Sequence, residues 1–446
     1  MAQIKRAVII GGSITGLLAA RVMSDCSDEV VIVERDQLPD VPVSRGGVPQ
    51  DRHGHLLMAK GQQIIEQLIP GIVDDFKAAN LPDIRWGLDT RVLMSGGWMK
   101  IADTGIQTYA CSRLWLEHTL RQHVLAIPNI HTIEHATVTG LIADEQHQSV
   151  LGVHYEQERS EYQLEADFVV DASGKRTCAD AWLQDFGIEQ VETTTIDPFM
   201  GYATRWYQKP DNFDEDWKLY ISYSRPEQGL YRSGAIVEVE DNKWLVILGG
   251  TNKDYAPTDE AGYAEFLQSL AAPQVYDYLN QAEPISPIYG YRQTANHWRH
   301  YERLSAFPSG FIMMGDAVCG FNPVYAQGMS VSAMEVALLQ DCLMDQNLDV
   351  RGNFSQTFQS RLAKVVQDAW SLSATADALL PEASGDKPHP VVLLGQQYIT
   401  KLTEIMPYDE EISSRFLEIM HMLGSPISLF HPRILWKFLR FQFSRP

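Results

Sequence analysis

Ala7-Val8-Ile9-Ile10-Gly11-Gly12-Ser13-Ile14-Thr15-Gly16 is an uncharged apolar run that stops at two glycines. Such a run predicts a strand of a parallel sheet, buried on both faces. Leu17, Leu18, Ala19, Ala20, Val22 and Met23 then read as a helix packing back on that strand. Glycine lets the backbone turn sharply and approach a pyrophosphate, and the free N–H groups and dipole at the helix start hold the anion. A second strand, Val30-Val31-Ile32-Val33, ends at Glu34, 18 residues after Gly16. In a dinucleotide fold an acid at that place binds ribose hydroxyls. The pattern G-x-G-x-x-G would put its middle glycine at position 13, where this chain has Ser13. Serine is small enough for a phosphate to come close.

The 446 residues, 45% of them hydrophobic, suffice for two or three cores. A net charge of −21 argues against nucleic acid as a partner. Five cysteines (Cys26, Cys111, Cys178, Cys319 and Cys342) include no C-x-x-C pair. That spacing predicts reduced thiols in a cytoplasmic protein, with neither a disulfide framework nor a metal site. The first strand begins within a few residues of Met1, so no signal peptide is expected. No apolar run reaches the ~18 residues of a spanning helix.

Prolines and glycines make Val41 to Gln50 a loop, and Asp51-Arg52-His53-Gly54-His55 leads into a helix that ends before Pro70-Gly71. Arg45, Arg52 and His53 beside a dinucleotide turn suit phosphate or flavin contacts; His53 and His55 suit a structural role within the loop equally well. Ile84 to Ile101 predicts a hairpin around Gly96-Gly97. Ser112 opens a helix with Arg113 in its first turn, where a cation is electrostatically poor unless an anion sits nearby. Ile130–Ile133, Val138–Ile142, Val150–Tyr155 and Tyr162–Leu164 predict a four-stranded antiparallel meander.

Phe168-Val169-Val170-Asp171-Ala172-Ser173-Gly174 repeats the opening pattern of a buried strand running into small residues. Phe199 to Gly250 predicts long strands with one aromatic face, whose Tyr202, Trp206, Tyr220, Tyr223 and Tyr231 are candidates to line an apolar pocket. A last buried strand ends at Gly315-Asp316, the usual address of ligand-binding residues in such sheets, and a helix starts near Gly328. The tail is helical. Arg433, Lys437 and Arg440 share one face of its last helix, so residues 432–443 read either as a peripheral membrane contact or as a helix docked on the acidic body.

Three segments resemble the FAD-dependent monooxygenases related to 4-hydroxybenzoate hydroxylase and squalene epoxidase. They are Gly11 to Gly16 with Glu34-Arg35, Asp171 to Gly174, and Gly315-Asp316-Ala317 through Asn322-Pro323 to Gln327-Gly328-Met329. The third is the most specific. The resemblance implies a mixed α/β (α+β) fold: a Rossmann-like FAD-binding domain (residues 1–75, 105–185 and 306–345), an inserted antiparallel β-sheet substrate domain (76–104 and 186–305) and a C-terminal helical region (346–446). It implies that Gly11, Gly12, Ser13, Thr15 and Gly16 form the pyrophosphate turn and that Glu34, followed by Arg35, binds the adenosine ribose. Arg113 would reach the pyrophosphate, Arg45 would contact the flavin, and Asp316 would bond the ribityl chain. Asp171, Gly174 and Gly315 would border the cofactor, with Pro323 and Gln327 beside the flavin ring. The N–H groups of Gly328 and Met329 would face the N1/C2 edge of that ring, where reduced flavin is anionic.

The chain also departs from that pattern. Ala326 stands where a glycine is common, and Asp171-Ala172-Ser173-Gly174 replaces a tighter Asp-Gly. Flavin-dependent halogenases and prenyl reductases carry a similar looser form. There is no second Rossmann domain for nicotinamide, so NAD(P)H would bind transiently, or a separate reductase would supply electrons. The activity implied is hydroxylation or epoxidation of a lipophilic or aromatic small molecule by O2 through a flavin C4a-hydroperoxide, in secondary metabolism. His53, His55, Arg292 and Pro323 are the catalytic candidates. A halogenase or reductase of the same fold is the enzyme alternative, although the W-x-W-x-I-P motif and a matching lysine are absent. A flavoprotein without turnover, acting as a partner in a biosynthetic pathway, is the other.

Overall fold

The computed structural model describes residues 4–188 and 190–444. A five-stranded parallel sheet lies at its centre, in the order Phe311–Met313, Phe168–Asp171, Ile4–Ile10, Ser27–Val33, Ile130–Ile133. The register sets Ile10 beside Val33 and Asp171, and Asp171 beside Met313, so these four strands end on one edge. Their residues are almost all fully buried, as strands covered on both faces require. Helices Ile14–Met23, Arg113–Leu125 and Gly328–Met344 cover the sheet. Because every connection is a crossover, loops gather at the carboxyl edge, where ligands bind in such sheets.

The expected four-stranded meander has three strands: Ser160–Glu165, Val150–Gln157 and Ala136–Ala143. Ile130–Ile133 instead pairs in parallel with Ser27–Val33 as the edge of the central sheet. Its sequence IHTI alternates as an edge strand does, and alternation alone cannot tell the two sheets apart. The hairpin expected over Ile84–Ile101 is also shorter. Thr90–Met94 turns back on Gly97–Trp98, while Asp83–Arg85 pairs with Gln107–Tyr109.

Thr90–Met94 runs parallel to Leu219–Ser222 and so joins an eight-stranded sheet whose long members are Gly201–Gln208, Arg232–Val239 and Lys243–Gly250. Alternation gives this sheet two different faces. Tyr220, Ile236, Trp244, Val246 and Leu248 point one way, into a core closed by helices Glu260–Gln268 and Gln274–Leu279. Leu219, Ile221, Ala235, Val237 and Ile247 point the other way, onto the side that the C-terminal helices cover. Helix Phe354–Asp377 packs on the core around the central parallel sheet. Helices Pro390–Leu402, Glu410–Met420 and Pro432–Ser444 close the aliphatic face of the eight-stranded sheet.

Candidate functional site

One cavity of about 300 Å3 runs from the carboxyl edge of the parallel sheet to the aliphatic face of the eight-stranded sheet. Its first end is polar, and the Gly11–Gly16 turn builds it. Gly11 has φ +101°, and a Cβ there would lie 2.7 Å from the Ala172 carbonyl oxygen. A Cβ on Gly16 would fall 1.9 Å from the Gly11 oxygen, so glycine is what lets helix Ile14–Met23 approach its strand. That helix has no side-chain cap and no acid in its first turn. Its leading N–H groups are therefore free for an anion.

Around this turn sits a buried set of charges. Glu34 accepts the Gly12 N–H at 2.7 Å and the Asp36 N–H at 3.0 Å. Arg45 reaches Glu34 at 3.1 Å, Asp36 at 3.2 Å and Glu117 at 2.9 Å. Burial opposes the charge of Arg45, but Glu117, Glu34 and Asp36 together hold its guanidinium above the ordinary arginine range. Ser13 donates its hydroxyl to Glu117 at 2.7 Å and accepts from Arg113 at 2.9 Å. Arg113 lines the cavity, and its buried Nε has no partner.

Opposite, the Asn322–Gln327 loop delivers the chain into helix Gly328–Met344. Asn322 caps the turn Pro323–Tyr325 by accepting the Val324 N–H at 3.2 Å. Ala326, where the resemblance expects glycine, takes φ +52° and carries the strain of that left-handed conformation. Pro323, Gln327, Gly328 and Met329 all line the cavity. The helix again starts with no side-chain cap and no acid in its first turn. Gln327 is 1% exposed, yet neither its amide nitrogen nor its amide oxygen has a partner.

A carboxylate beyond the FAD-like segments braces this loop. Asp377, at the end of helix Phe354–Asp377, accepts from Asn296 at 2.7 Å, Asn322 at 2.9 Å and the Tyr325 hydroxyl at 2.9 Å. The Tyr202 hydroxyl donates to Asn322 at 3.0 Å. Burial pushes the Asp377 carboxyl up to about 6, against those three donors.

His53 and His55 both line the cavity. His53 Nδ1 bonds the Thr204 hydroxyl at 2.8 Å, and burial, with Arg52 next to it, lowers its pKa to about 4. His55 Nδ1 lies 2.8 Å from the His53 carbonyl, which can only accept. Nδ1 therefore carries the proton, and Nε2 is an unprotonated acceptor. Burial, with Arg113 nearby, lowers the His55 pKa to about 3.

Several expected residues lie elsewhere. Arg292 is exposed, lies 4.6 Å over the Tyr255 ring and does not line the cavity. Arg35 is exposed and donates to the Gly47 carbonyl at 2.9 Å. Asp171 is fully buried and bonds its own loop, through the Ser173 N–H at 2.9 Å and the Thr177 hydroxyl, so it shapes the turn rather than facing the cavity. Arg45 is consumed by three carboxylates and is absent from the lining. Ser13, Thr15, Arg113, Gly174 and Asp316 do line it, and Gly315 backs onto Thr15. Of the aromatic candidates, Tyr202 and Tyr223 line the cavity whereas Trp206, Tyr220 and Tyr231 do not. For Tyr220 strand parity is the reason: with Leu219 and Ile221 facing the cavity, it must face away.

The apolar end combines Val92, Met94, Leu219, Ile221, Ala235 and Ile247 with Trp86, Phe416, Leu417, Met420 and His421. His421 Nδ1 accepts the Ala59 N–H at 3.1 Å, and burial pushes its pKa down to about 3, so it is a neutral wall residue. Glu117, Asp377 and His421 escaped the sequence reading. Glu117 alone left a trace there, four residues after Arg113 on the same helix face.

Two uncapped helix starts, a glycine turn without room for side chains, and orphaned polar atoms on Gln327 and Arg113 fit one elongated ligand with an anionic middle and a polar ring. The FAD binding domain family matches residues 5–371. The chain belongs to that family.

Within the FAD binding domain family, it is 32% identical over 393 residues to Protein Rv3254 of Mycobacterium tuberculosis, covering 85% of this chain and 81% of that protein. Solved structures share the fold at lower identity. The flavin-dependent brominase Bmp2 superposes with a TM-score of 0.69 at 15% identity, over 97% of this chain and 98% of that one. p-Nitrophenol 4-monooxygenase PnpA from Pseudomonas putida DLL-E4 gives 0.63 at 15% identity, over 94% and 99%. PqsL from Pseudomonas aeruginosa, described as a probable FAD-dependent monooxygenase, gives 0.64 at 14%, over 89% and 99%. The chain is thus a FAD-binding flavoenzyme with the fold that monooxygenases and halogenases share.

Proposed function

We propose that this protein is a FAD-dependent monooxygenase that hydroxylates or epoxidises a lipophilic or aromatic small molecule. One observation carries the reading: a single cavity joins the anion-binding turns to an aliphatic sheet face that offers no charged side chain. Bound FAD would supply the redox and oxygen-transfer chemistry; the rest falls to the chain's own residues.

The Gly11–Gly16 turn, Ser13 and Arg113 would hold the pyrophosphate, and Asp316 the ribityl hydroxyls. Gln327 and the N–H groups of Gly328 and Met329 would take the polar edge of the ring. A helix start placed there favours the negative charge that the reduced ring carries. Asp377 fixes the loop bearing Pro323, so that wall of the cavity is rigid. His53 and His55 stay neutral at ordinary pH, which adds no charge to draw water into the site. Leu219, Ile221, Val237 and Ile247 desolvate the substrate and exclude water from it.

The lining includes one amine, Lys175, whose Nζ donates to the Ala295 carbonyl at 3.1 Å beside the Ser173-Gly174 turn. The aliphatic end has none. Electrons would come from NAD(P)H directly or through a separate reductase.

The test is oxygen uptake by the FAD-loaded protein with NADH, NADPH or chemically reduced flavin, with and without lipophilic and phenolic compounds, and mass analysis of products. Substrate-stimulated uptake with an oxygenated product supports the reading. A product that forms only with bromide or chloride replaces it with halogenation, and no uptake with any donor leaves a flavoprotein without turnover.

A further inference from the structure

Of the 19 large apolar side chains exposed among the described residues, 11 lie between Val391 and Phe443, a small fraction of the chain. Such a concentration marks an interaction surface rather than ordinary surface composition. Nine of the eleven sit on three elements: helix Pro390–Leu402, the turn Pro426–Phe430 and helix Pro432–Ser444. They form one unit, because Tyr398 packs on Phe430 at 5.0 Å and on Phe438 at 4.9 Å between ring centres. Ile434 is buried, and Phe438 and Phe441 pack on the inner core, yet Trp436 is 58% exposed, Leu439 51% and Phe443 85%. Ile427 on the turn is 77% exposed.

Two of the three charges of the last helix are drawn into ion pairs, and the third stacks on the face itself. Arg433 pairs with Glu411 at 3.1 Å, and Lys437 with Asp409 at 2.8 Å and Glu411 at 2.7 Å, all on the neighbouring helix or its cap. Arg440 lies 5.5 Å over the Trp436 ring. From 386 to 444 there are six acids (Asp386, Glu404, Asp409, Glu410, Glu411, Glu418) and six bases (Lys387, Lys401, Arg415, Arg433, Lys437, Arg440). The lobe is therefore charge-neutral on a chain of net charge −21, so the acid excess lies elsewhere.

We propose that this lobe seats the protein on the surface of a lipid bilayer. A neutral face with protruding apolar tips can enter the headgroup boundary without meeting the repulsion that an acidic surface would. The same tips fit a rigid protein partner poorly. A second copy would set the same protruding tips against one another and bring with them a second charge of −21. Among the described residues no helix is long and apolar enough to cross a membrane, so the contact is peripheral. The lobe also continues into the cavity wall, since Phe416, Leu417, Met420 and His421 belong to helix Glu410–Met420 and its C-terminal end. A lipophilic molecule dissolved in the bilayer would then reach the site from the side on which the protein rests.

The test floats the full FAD-loaded chain with vesicles of phosphatidylcholine alone, and of phosphatidylethanolamine with a minority of phosphatidylglycerol. Turnover plays no part, so failure of the oxygenase reading leaves the outcome untouched. The expected result is binding to both vesicles that persists in high salt, because the basic residues are already paired. Ile427→Glu combined with Trp436→Glu should weaken it by about tenfold or more, Trp436→Phe should keep it, and the control Ile101→Glu outside the lobe should not matter. Flavin content and melting temperature, unchanged in all variants, show that the fold is intact. No flotation with either vesicle, flotation insensitive to the double variant, or a concentration-dependent dimer that the double variant breaks in place of flotation would each overturn the proposal.

Discussion

Asp377 offers the sharpest experiment, since it ties the end of helix Phe354–Asp377 to the loop over the cavity. In Asp377→Ala three buried donors lose their acceptor at once: the Asn296 and Asn322 amides and the Tyr325 hydroxyl. A buried donor left unpaired costs ~1–3 kcal/mol, so with three of them the alanine variant should lose about 3–9 kcal/mol. Asp377→Asn should behave differently. Both amides donate to the same oxygen, Oδ2, and an asparagine oxygen placed there keeps them. Its NH2 then faces the Tyr325 hydroxyl, which can accept as readily as donate. The asparagine also removes a charge that burial opposes, so its cost at pH 7 should stay within ~1–2 kcal/mol.

The pH dependence has a definite sign. A carboxyl pushed up to about 6 holds its proton more tightly in the folded chain than in the unfolded one, where it is ordinary. Wild-type stability relative to the asparagine variant should therefore rise as pH falls through 6 toward 4, by up to about 3 kcal/mol. Urea denaturation at pH 7 and 5 measures both quantities, and flavin titration reads whether the loop still supports the cofactor. FAD affinity should fall in the alanine variant and hold in the asparagine one. Equal losses in the two variants, or a pH difference of opposite sign, would refute the account.

Gln327→Leu removes two buried polar atoms that have no partner, so the apoprotein should melt no lower than wild type while FAD affinity drops about tenfold in a calorimetric titration. Ala235→Leu adds three carbons at the apolar end and should raise KM about tenfold or more while leaving flavin binding unchanged, which would place substrate rather than cofactor there. Since His53 and His55 titrate at about 4 and about 3, neither changes charge between pH 5 and 8. A rate inflection near 6.5 that disappears in His53→Gln would contradict their burial. Gly16→Ala should yield protein without bound flavin, because its Cβ would sit 1.9 Å from the Gly11 oxygen.

Local chemistry made the parallel sheet legible. Uncharged runs at Ala7, Val30, Phe168 and Phe311 can be stable only where both faces are covered; three of them end in small residues and the Val30 run in Glu34, all at the same edge. The lining positions Ser13, Arg113, Asp316, Pro323 and Gln327 follow from that edge, because loops there have nowhere else to converge. What stayed hidden is set by orientation. Tyr220 and Ile221 are neighbours in sequence and lie on opposite faces, and no property of the strand says which face meets the ligand. The aromatic face attracted attention, yet it is the filled one. Large rings packed by helices Glu260–Gln268 and Gln274–Leu279 leave no void, whereas Ala235, Ser233 and Gly249 on the other face make one. Arg45 shows the same limit for charge: its place beside the dinucleotide turn was legible, but its acidic partners come from two other segments, Glu34 and Asp36 from one and Glu117 from a helix far along the chain.

The C-terminal region completes a site that the FAD-like segments leave open. Its helices contribute Asp377 behind the Pro323 loop and Phe416, Leu417, Met420 and His421 across the aliphatic face. These residues carry no motif because their task is generic, to supply an acceptor for three stranded donors and a dry wall for an apolar molecule. Many sequences satisfy such demands, so composition and spacing hold no trace of them. The glycine turn has far less freedom, since a backbone oxygen 1.9 Å from any added Cβ admits one residue type. The steric limit that makes the cofactor end recognisable is absent at the substrate end, where any set of side chains that fills or frees the right volume will do. On the proposed reading the shape left between Ala235, Ile221 and Trp86 selects the substrate, and the Ala235→Leu variant tests that directly.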